Sequence, residues 1–261
     1  MINFDQIKSI SMNFQKRKQK ILEKLNEYGE VDIKQLAVDL AISEITARRD
    51  LNQLASDGLL YRTHGGAMKV NPFEKPHDFI NKAAKNPEAK DNICRIAAGQ
   101  IQDGDVIFMD CGSTVFRLCQ FIKNKKIKVI TNSLPVIYEL QNSAVSLNII
   151  GGEFDPQRQA VHGSMANEHI SKYRAAKAFL GVDGISVNGL FANTENEAII
   201  TMAFANNSAY TYLLCDASKI GKESYLKFAD LDLINAIITD ADEANLAGFE
   251  EQGVVILNVK P

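Results

Sequence analysis

Apolar positions along residues 16–28 (KRKQKILEKLNEY) put Ile21, Leu22 and Leu25 on one stripe, the spacing of an amphipathic helix. Gly29 ends it. Asp32 stands three residues before Gln35, an N-cap pairing. Ile33, Leu36, Ala37 and Leu40 then supply the apolar stripe of a second helix. Ser43 reads as the next N-cap. The helix it opens carries Ala47, Leu51, Leu54 and Ala55 at i, i+4, i+7 and i+8, and Gly58 suits the position past its end. LLYRTHGGAMKV follows as two short strands around His64-Gly65-Gly66. Residues 1–70 are thus expected to form three helices and a hairpin, a small winged helix-turn-helix domain.

Residues 71–90 hold three of the six prolines and many charges, and read as a linker plus the start of a helix. Beyond them, short apolar runs alternate with helical stretches. The expected strands are Val106–Met109, Val129–Thr131, Leu147–Ile150, Ala178–Gly181, Tyr212–Cys215, Ala236–Thr239 and Val254–Leu257. Residues 114–123 and 196–207 are among the helical stretches between them. Such alternation predicts an α/β domain with a largely parallel sheet over residues 91–261.

Composition narrows the class. Hydrophobic content of 46% and charged content of 23% are ordinary for a globular protein. No apolar run approaches the roughly 20 residues of a membrane span, and the N-terminus lacks the basic-then-apolar order of a signal peptide. A cytoplasmic protein with no membrane contact is expected. Cys94, Cys111, Cys119 and Cys215 form no CxxC pair and have no histidine at zinc spacing, so free thiols and no metal or cofactor are expected. Net charge is −3, but residues 1–70 carry 11 basic against 9 acidic side chains, and the rest 18 against 23. The first domain is the more basic one, and phosphate contact needs only a basic local surface.

The helix from Ser43 has the chemistry to read DNA. In a helix-turn-helix the second helix enters the major groove, and its N-terminal residues meet base edges. At about 100° per residue, Ile45, Arg49, Asn52 and Gln53 point outward. Arginine pairs with guanine, Asn and Gln with adenine, and an aliphatic group meets the thymine methyl. Thr46 and Arg48 on the flanks suit phosphates, as do Arg17 and Lys18 at the start of the first helix. Arg62 and His64 lie on the wing.

In the second domain the expected strand VIFMD runs through Asp110-Cys111-Gly112-Ser113-Thr114 into a helix. Glycine admits close approach, and Ser and Thr add hydroxyls to free N–H groups, which suits a phosphate or another anion. Thr131-Asn132-Ser133, Gly151-Gly152, Gly181-Val182-Asp183-Gly184 and Asp216-Ala217-Ser218-Lys219 end other strands with similar groups. In open α/β sheets ligands bind at those carboxyl ends.

Arg17, Ile21, Leu25, Ser43, Thr46, Arg48, Arg49, Asp50 and Leu51 stand at the spacing of the DeoR family signature, and LLYRTHGGA resembles that family's wing. The chain therefore resembles the DeoR family of bacterial transcriptional regulators, from about residue 16 to the end. The resemblance implies a repressor of a carbohydrate operon that binds double-stranded operator DNA as a homo-oligomer. Its second domain would look like ribose-5-phosphate isomerase and take a phosphorylated sugar as effector. On that resemblance Gly112, Ser113 and Thr114 hold the phosphate. Asp110, Asn132, Gly152, Asp183, Glu197 and Lys219 lie around the sugar, with Arg158 near the mouth.

Two departures stand out. Ser186 occupies a place where the family commonly has a carboxylate. Thr201 and Met202 stand where a basic residue is usual. The alternative is a sugar-phosphate isomerase fused to a DNA-binding domain, with Asp183, Glu197 and Lys219 supplying acid–base groups. Ser186 argues against it, and a non-enzyme is expected.

Overall fold

The computed structural model of the protein describes residues 14–56, 59–63, 65–69, 79, 82–83 and 85–259. The chain divides into two compact units, Met1–Pro76 and His77–Pro261.

The first unit runs α1 (Phe14–Tyr28), β1 (Glu30–Asp32), α2 (Ile33–Asp39), α3 (Glu44–Ser56), β2 (Leu60–Arg62) and β3 (Gly66–Lys69). The Asp32 carboxylate accepts from the Lys34 and Gln35 amides, capping α2. Ser43 Oγ accepts from Thr46 N at 3.2 Å and lies 2.9 Å from Thr46 Oγ1, capping α3. Between the two helices the chain turns through Ala41 at φ +51°, a left-handed conformation that disfavours any side chain. Ile21, Leu25, Leu36, Leu51, Leu54 and Leu60 meet in one core. Each such buried aliphatic side chain contributes roughly 1.5–3 kcal/mol. The hairpin was expected as a pair of strands, but the sheet has three. β1 pairs antiparallel with β3, giving the order β1-β3-β2. That third strand explains Gly66: a Cβ there would lie 1.8 Å from the Val31 carbonyl oxygen. Gly58 and His64 lie outside the described residues.

The second unit continues with α4 (Pro87–Gly99), β4 (Val106–Met109), α5 (Ser113–Arg117), α6 (Cys119–Ile122), β5 (Lys128–Thr131), α7 (Leu134–Leu140), β6 (Ser146–Ile149), β7 (Glu153–Asp155), β8 (Ala160–His162), α8 (Ser164–Ser171) and β9 (Ala175–Leu180). Then come β10 (Gly184–Ser186), β11 (Gly189–Ala192), α9 (Glu195–Asn206), β12 (Ser208–Leu214), β13 (Leu226–Ala229), β14 (Ala236–Thr239), α10 (Ala247–Glu250) and β15 (Val255–Asn258).

Seven strands form one parallel sheet in the order β15-β14-β12-β9-β4-β5-β6. All seven were expected from apolar runs, because a parallel sheet is buried on both faces and needs no alternation. Phe108 packs into the core on one face, while Ile107 and Met109 pack into the core on the other. The small antiparallel pieces, β7-β8 and β10-β11-β13, were not expected. Their three- and four-residue strands are too short to show a period. The chain winds outward from β4 in one direction and from β9 in the other. The β4–β9 boundary is therefore the topological switch point, where such sheets open a crevice at the strands' carboxyl ends.

Candidate functional site

The outward face of α3 carries the DNA-reading candidates. Ile45 is 80% exposed, an unusual position for an isoleucine on a folded surface. Arg49, Asn52 and Gln53 are exposed beside it. Arg48 lies 3.7 Å from Glu44 on the same helix, a loose surface pair. Thr46 is half-buried and shares its hydroxyl with Ser43, so both serve first as caps.

Arg17 is a correction. It was expected at the phosphates, but it is buried, with its guanidinium on the Asp50 carboxylate through Nε at 2.5 Å and Nη2 at 3.0 Å. It joins α1 to α3 from within. Arg62 lies in β2, and His64 lies outside the described residues.

The second unit opens a cavity of about 250 Å³ at the β4–β9 switch point. Gly112 follows β4 and Gly181 follows β9, and the two backbones touch. A Cβ on either glycine would come within 3.1 Å of the other's Cα. The crevice is thus set by two strand ends that meet without side chains. Asp110 locks them: its carboxylate accepts from the Cys111 amide, the Gly181 amide and the Thr201 hydroxyl. Burial pushes the Asp110 pKa up. Thr201, which departs from the family pattern, is therefore a strut for Asp110 in the cavity wall. Ser186, the other departure, hydrogen-bonds Glu223 at 2.8 Å and does not border the cavity.

Three sides of the cavity carry charge. From the β7–β8 turn, Arg158 reaches Glu197 at 2.5 Å and Asp183 at 3.7 Å, and is itself nearly buried. Glu197 also accepts from the Thr194 hydroxyl, which caps α9. Burial raises the Glu197 pKa to about 7 against the opposing pull of Arg158. Asp183 accepts from Lys82 Nζ at 2.7 Å and from the Asn193 amide at 3.1 Å. Burial works against its ionisation, but Lys82, Arg158 and Lys219 overcome that and hold its pKa below the ordinary range. Lys219 is half-buried on the far side, its pKa lowered by burial and then by Lys82.

The phosphate-like corner is built by Gly112, Ser113, Thr114 and a residue that sequence reasoning missed, Lys90. This lysine is buried, with Nζ 3.2 Å from Ser113 Oγ and bonded to the Lys82 carbonyl oxygen. Burial lowers its pKa to about 8, helped by Lys219, Arg117 and Lys82 against Asp216. The helix that Ser113 opens has only five residues, so an ammonium, rather than a long helix dipole, supplies the positive charge there. Its signal was in the sequence: Lys90 falls at i−3, i−4 and i−7 to Ile93, Cys94 and Ala97, on the buried stripe of α4. Lys82, Lys85 and Lys222 also border the cavity and were likewise not singled out.

Two expected effector residues do not border it. Asn132 is wholly buried, and its Nδ2 donates to the Val161 carbonyl at 3.0 Å, tying the end of β5 to β8. Gly152 stands at φ +154°, where a Cβ would come within 2.6 Å of the His162 carbonyl oxygen. Both support the hairpin that delivers Arg158. Asp110, Gly112, Ser113, Thr114, Arg158, Asp183, Glu197 and Lys219 do border the cavity. Among the described residues, no group of three or more His, Cys, Asp and Glu side chains could hold a metal ion. The four cysteines are free. No helix of the described residues is long and apolar enough to cross a membrane.

Comparison with known proteins gives both units counterparts. Residues 17–72 match the DeoR-like helix-turn-helix domain, and residues 85–241 match the DeoR C terminal sensor domain. The lactose phosphotransferase system repressor of Lactococcus lactis subsp. lactis is 39% identical over 88% of this chain and 92% of its own length. The uncharacterized HTH-type transcriptional regulator FruR of Bacillus subtilis (strain 168) is 32% identical over 94% of this chain and 98% of its own length. Among solved structures, ribose 5-phosphate isomerase A of Methanocaldococcus jannaschii covers 52% of this chain and 55% of its own at 18% identity, with a TM-score of 0.38.

Proposed function

Because the chain belongs to the DeoR family of transcriptional regulators, we propose that it is a sugar-responsive repressor. Its first unit binds operator DNA, and a phosphorylated sugar in the second unit's cavity relieves that binding. The observation that carries this reading is the pairing, in one chain, of an exposed α3 face suited to base edges with a polar cavity at the switch point of a parallel sheet. Arg49, Asn52, Gln53 and Ile45 would read bases, and Arg48 would meet phosphate. In the cavity, Lys90, Ser113 and the amides at Gly112–Thr114 would hold the phosphate, and Asp183, Glu197 and Arg158 the sugar hydroxyls. The relatives' names, a lactose phosphotransferase system repressor among them, support sugar control.

The protein would act by binding, not turnover. Isomerisation requires a base poised at a carbon-bound proton. Here Asp183 is spent on Lys82 and Arg158, and Glu197 on Arg158 and Thr194. The working form would be a cytoplasmic homo-oligomer, in which two heads read half-sites about one helical turn apart. Two arms test the reading: selection of bound duplexes from random DNA, and thermal-shift screening with fructose 1-phosphate, fructose 6-phosphate, tagatose 6-phosphate, galactose 6-phosphate and ribose 5-phosphate. A recovered consensus, and at least one sugar phosphate that raises Tm and weakens operator binding, are expected. Operator binding with no sugar phosphate raising Tm would overturn the effector assignment. Turnover of ribose 5-phosphate, lost in Asp183→Asn, would overturn the non-enzymatic reading.

A further inference from the structure

Where the chain leaves β5 it runs against β8. Val161 N donates to the Asn132 carbonyl at 2.8 Å, the Asn132 side chain donates back to the Val161 carbonyl, and Ser133 bridges to Ala160. Asn132 and Ser133 are wholly buried, and His162, at the end of β8, is 3% exposed. Among the described residues, four buried side-chain polar atoms have no hydrogen-bond partner in the protein, and all four fall here: Asn132 Oδ1, Ser133 Oγ and both ring nitrogens of His162. The His162 ring faces the Asn196 backbone without meeting it in hydrogen-bonding geometry. Two of the three residues flank Asp110. Met109 stands opposite Thr131 in the parallel pair β4–β5, so the next residues, Asp110 and Asn132, are neighbours. His162 lies close enough to Asp110 and Arg158 to feel their charges, and both of those border the cavity.

Resting on the effector reading above, we infer that His162 and Asn132 form a hydroxyl-binding annex of the cavity, which receives the end of the effector's carbon chain remote from its phosphate. Buried polar groups are almost always hydrogen-bonded, and a concentration of unpaired ones beside a cavity points to a ligand group that completes them. The atoms on offer select that group. Asn132 Nδ2 is committed to the Val161 carbonyl, which leaves Oδ1 as an acceptor. Burial lowers the His162 pKa against the pull of Asp110 and Asp155, so at pH 7 the ring is neutral, one nitrogen donating and the other accepting. A hydroxyl, which donates and accepts at once, meets both residues. A phosphate does not, because Asp110 beside the annex repels it, whereas Lys90 and Ser113 attract it at the other corner. The ligand is thereby oriented, phosphate at Lys90 and hydroxyl tail at His162. Arg158, held on Glu197, is the wall residue that would turn aside to admit the tail. A three-carbon phosphate held at Lys90 would end before the annex, so the annex favours a longer sugar phosphate.

The test is calorimetric titration of the full-length protein with fructose 6-phosphate, tagatose 6-phosphate and glycerol 3-phosphate as separate probes. The wild type should bind at least one hexose phosphate about ten-fold or more tighter than glycerol 3-phosphate, the worth of one hydrogen bond of ordinary strength. His162→Leu removes no hydrogen bond within the protein. It should weaken the hexose phosphate by about ten-fold or more, because a site built to meet a hydroxyl loses most when that contact goes. Its Kd for glycerol 3-phosphate should stay within about two-fold of wild type, as for groups with no shared partner. Equal weakening of both probes overturns the inference, since His162 would then act only on the shape of the cavity. Unchanged hexose phosphate binding overturns it as well. A wild type that binds the three-carbon and six-carbon phosphates alike leaves the effector reading standing and removes the annex. A wild type that binds none of the probes removes both. If His162→Leu does not fold, a crystal structure of the wild type with the bound hexose phosphate decides: a sugar oxygen hydrogen-bonded to the His162 ring supports the inference, and water alone at that ring sinks it.

Discussion

Arg17 and Asp50, 33 positions apart, form a two-point ion pair that closes the first helix onto the third. Both are buried, and the planar guanidinium meets the carboxylate with two parallel donors. A carboxylate left in that site without its partner is costly. Arg17→Met should therefore destabilise the DNA-binding unit by roughly 3 kcal/mol, the low end for breaking a buried pair. The double variant Arg17→Met, Asp50→Leu should recover much of that loss, because two apolar groups leave no orphaned charge. Urea melts of both variants check it. A single variant as stable as the wild type would return Arg17 to the list of phosphate contacts.

Arg49 has the opposite setting: it is exposed on the outward face of α3, next to the exposed Ile45. Arg49→Ala should cost roughly 1–3 kcal/mol at the selected operator and broaden the base preference at one position. On random duplex the loss should be far smaller. An equal loss on both, with a shallower salt dependence, would show a phosphate contact instead.

The contrast between these arginines shows what the sequence could convey. Both sit at helix positions that read as available to DNA. A helical projection separates faces within one helix, so Arg49 was placed outward correctly. It is silent about a partner on another helix, so Arg17 was misplaced. The same limit applies in the second domain. All seven strands of the parallel sheet were legible as short apolar runs, including the partly exposed edge strands β6 and β15. So were Gly112, Ser113 and Asp183, which directly follow strands. Lys82 was not, because it lies in a charged, proline-bearing stretch that reads as linker. Asn132 and Gly152 follow strands as well, but on the side where the β7–β8 hairpin closes over them, and that hairpin has no periodic signature.

Ser113 offers a direct probe of the phosphate corner. Its hydroxyl lies 3.2 Å from Lys90 Nζ. In Ser113→Glu the new carboxylate would neutralise that ammonium and repel an incoming phosphate. The Tm rise with sugar phosphates should vanish, while affinity for the operator in their absence stays within about two-fold of wild type, as for a surface-remote change. A Tm rise that survives in this variant would place the phosphate elsewhere.

Under the proposed effector reading, Lys90 should make sugar-phosphate binding depend on pH in a defined direction. Burial lowers its pKa to about 8. A phosphate beside Nζ stabilises the protonated form and raises that value. Below about pH 8 the ammonium is already formed, and affinity owes no pH dependence to it. Above it, each binding event must take up a proton, so affinity falls by up to about ten-fold per pH unit. The effector's own phosphate, with a second pKa near 6, is a dianion throughout and adds no slope there. The folded protein alone shows the converse. Lys90 binds fewer protons folded than unfolded between about 8 and its ordinary 10.5, so its contribution to stability rises with pH across that window. Calorimetry at about pH 9 in buffers of different ionisation enthalpy should detect proton uptake on binding, and Lys90→Met should remove it. Proton uptake of equal size in that variant would assign the titration to another group in the cavity.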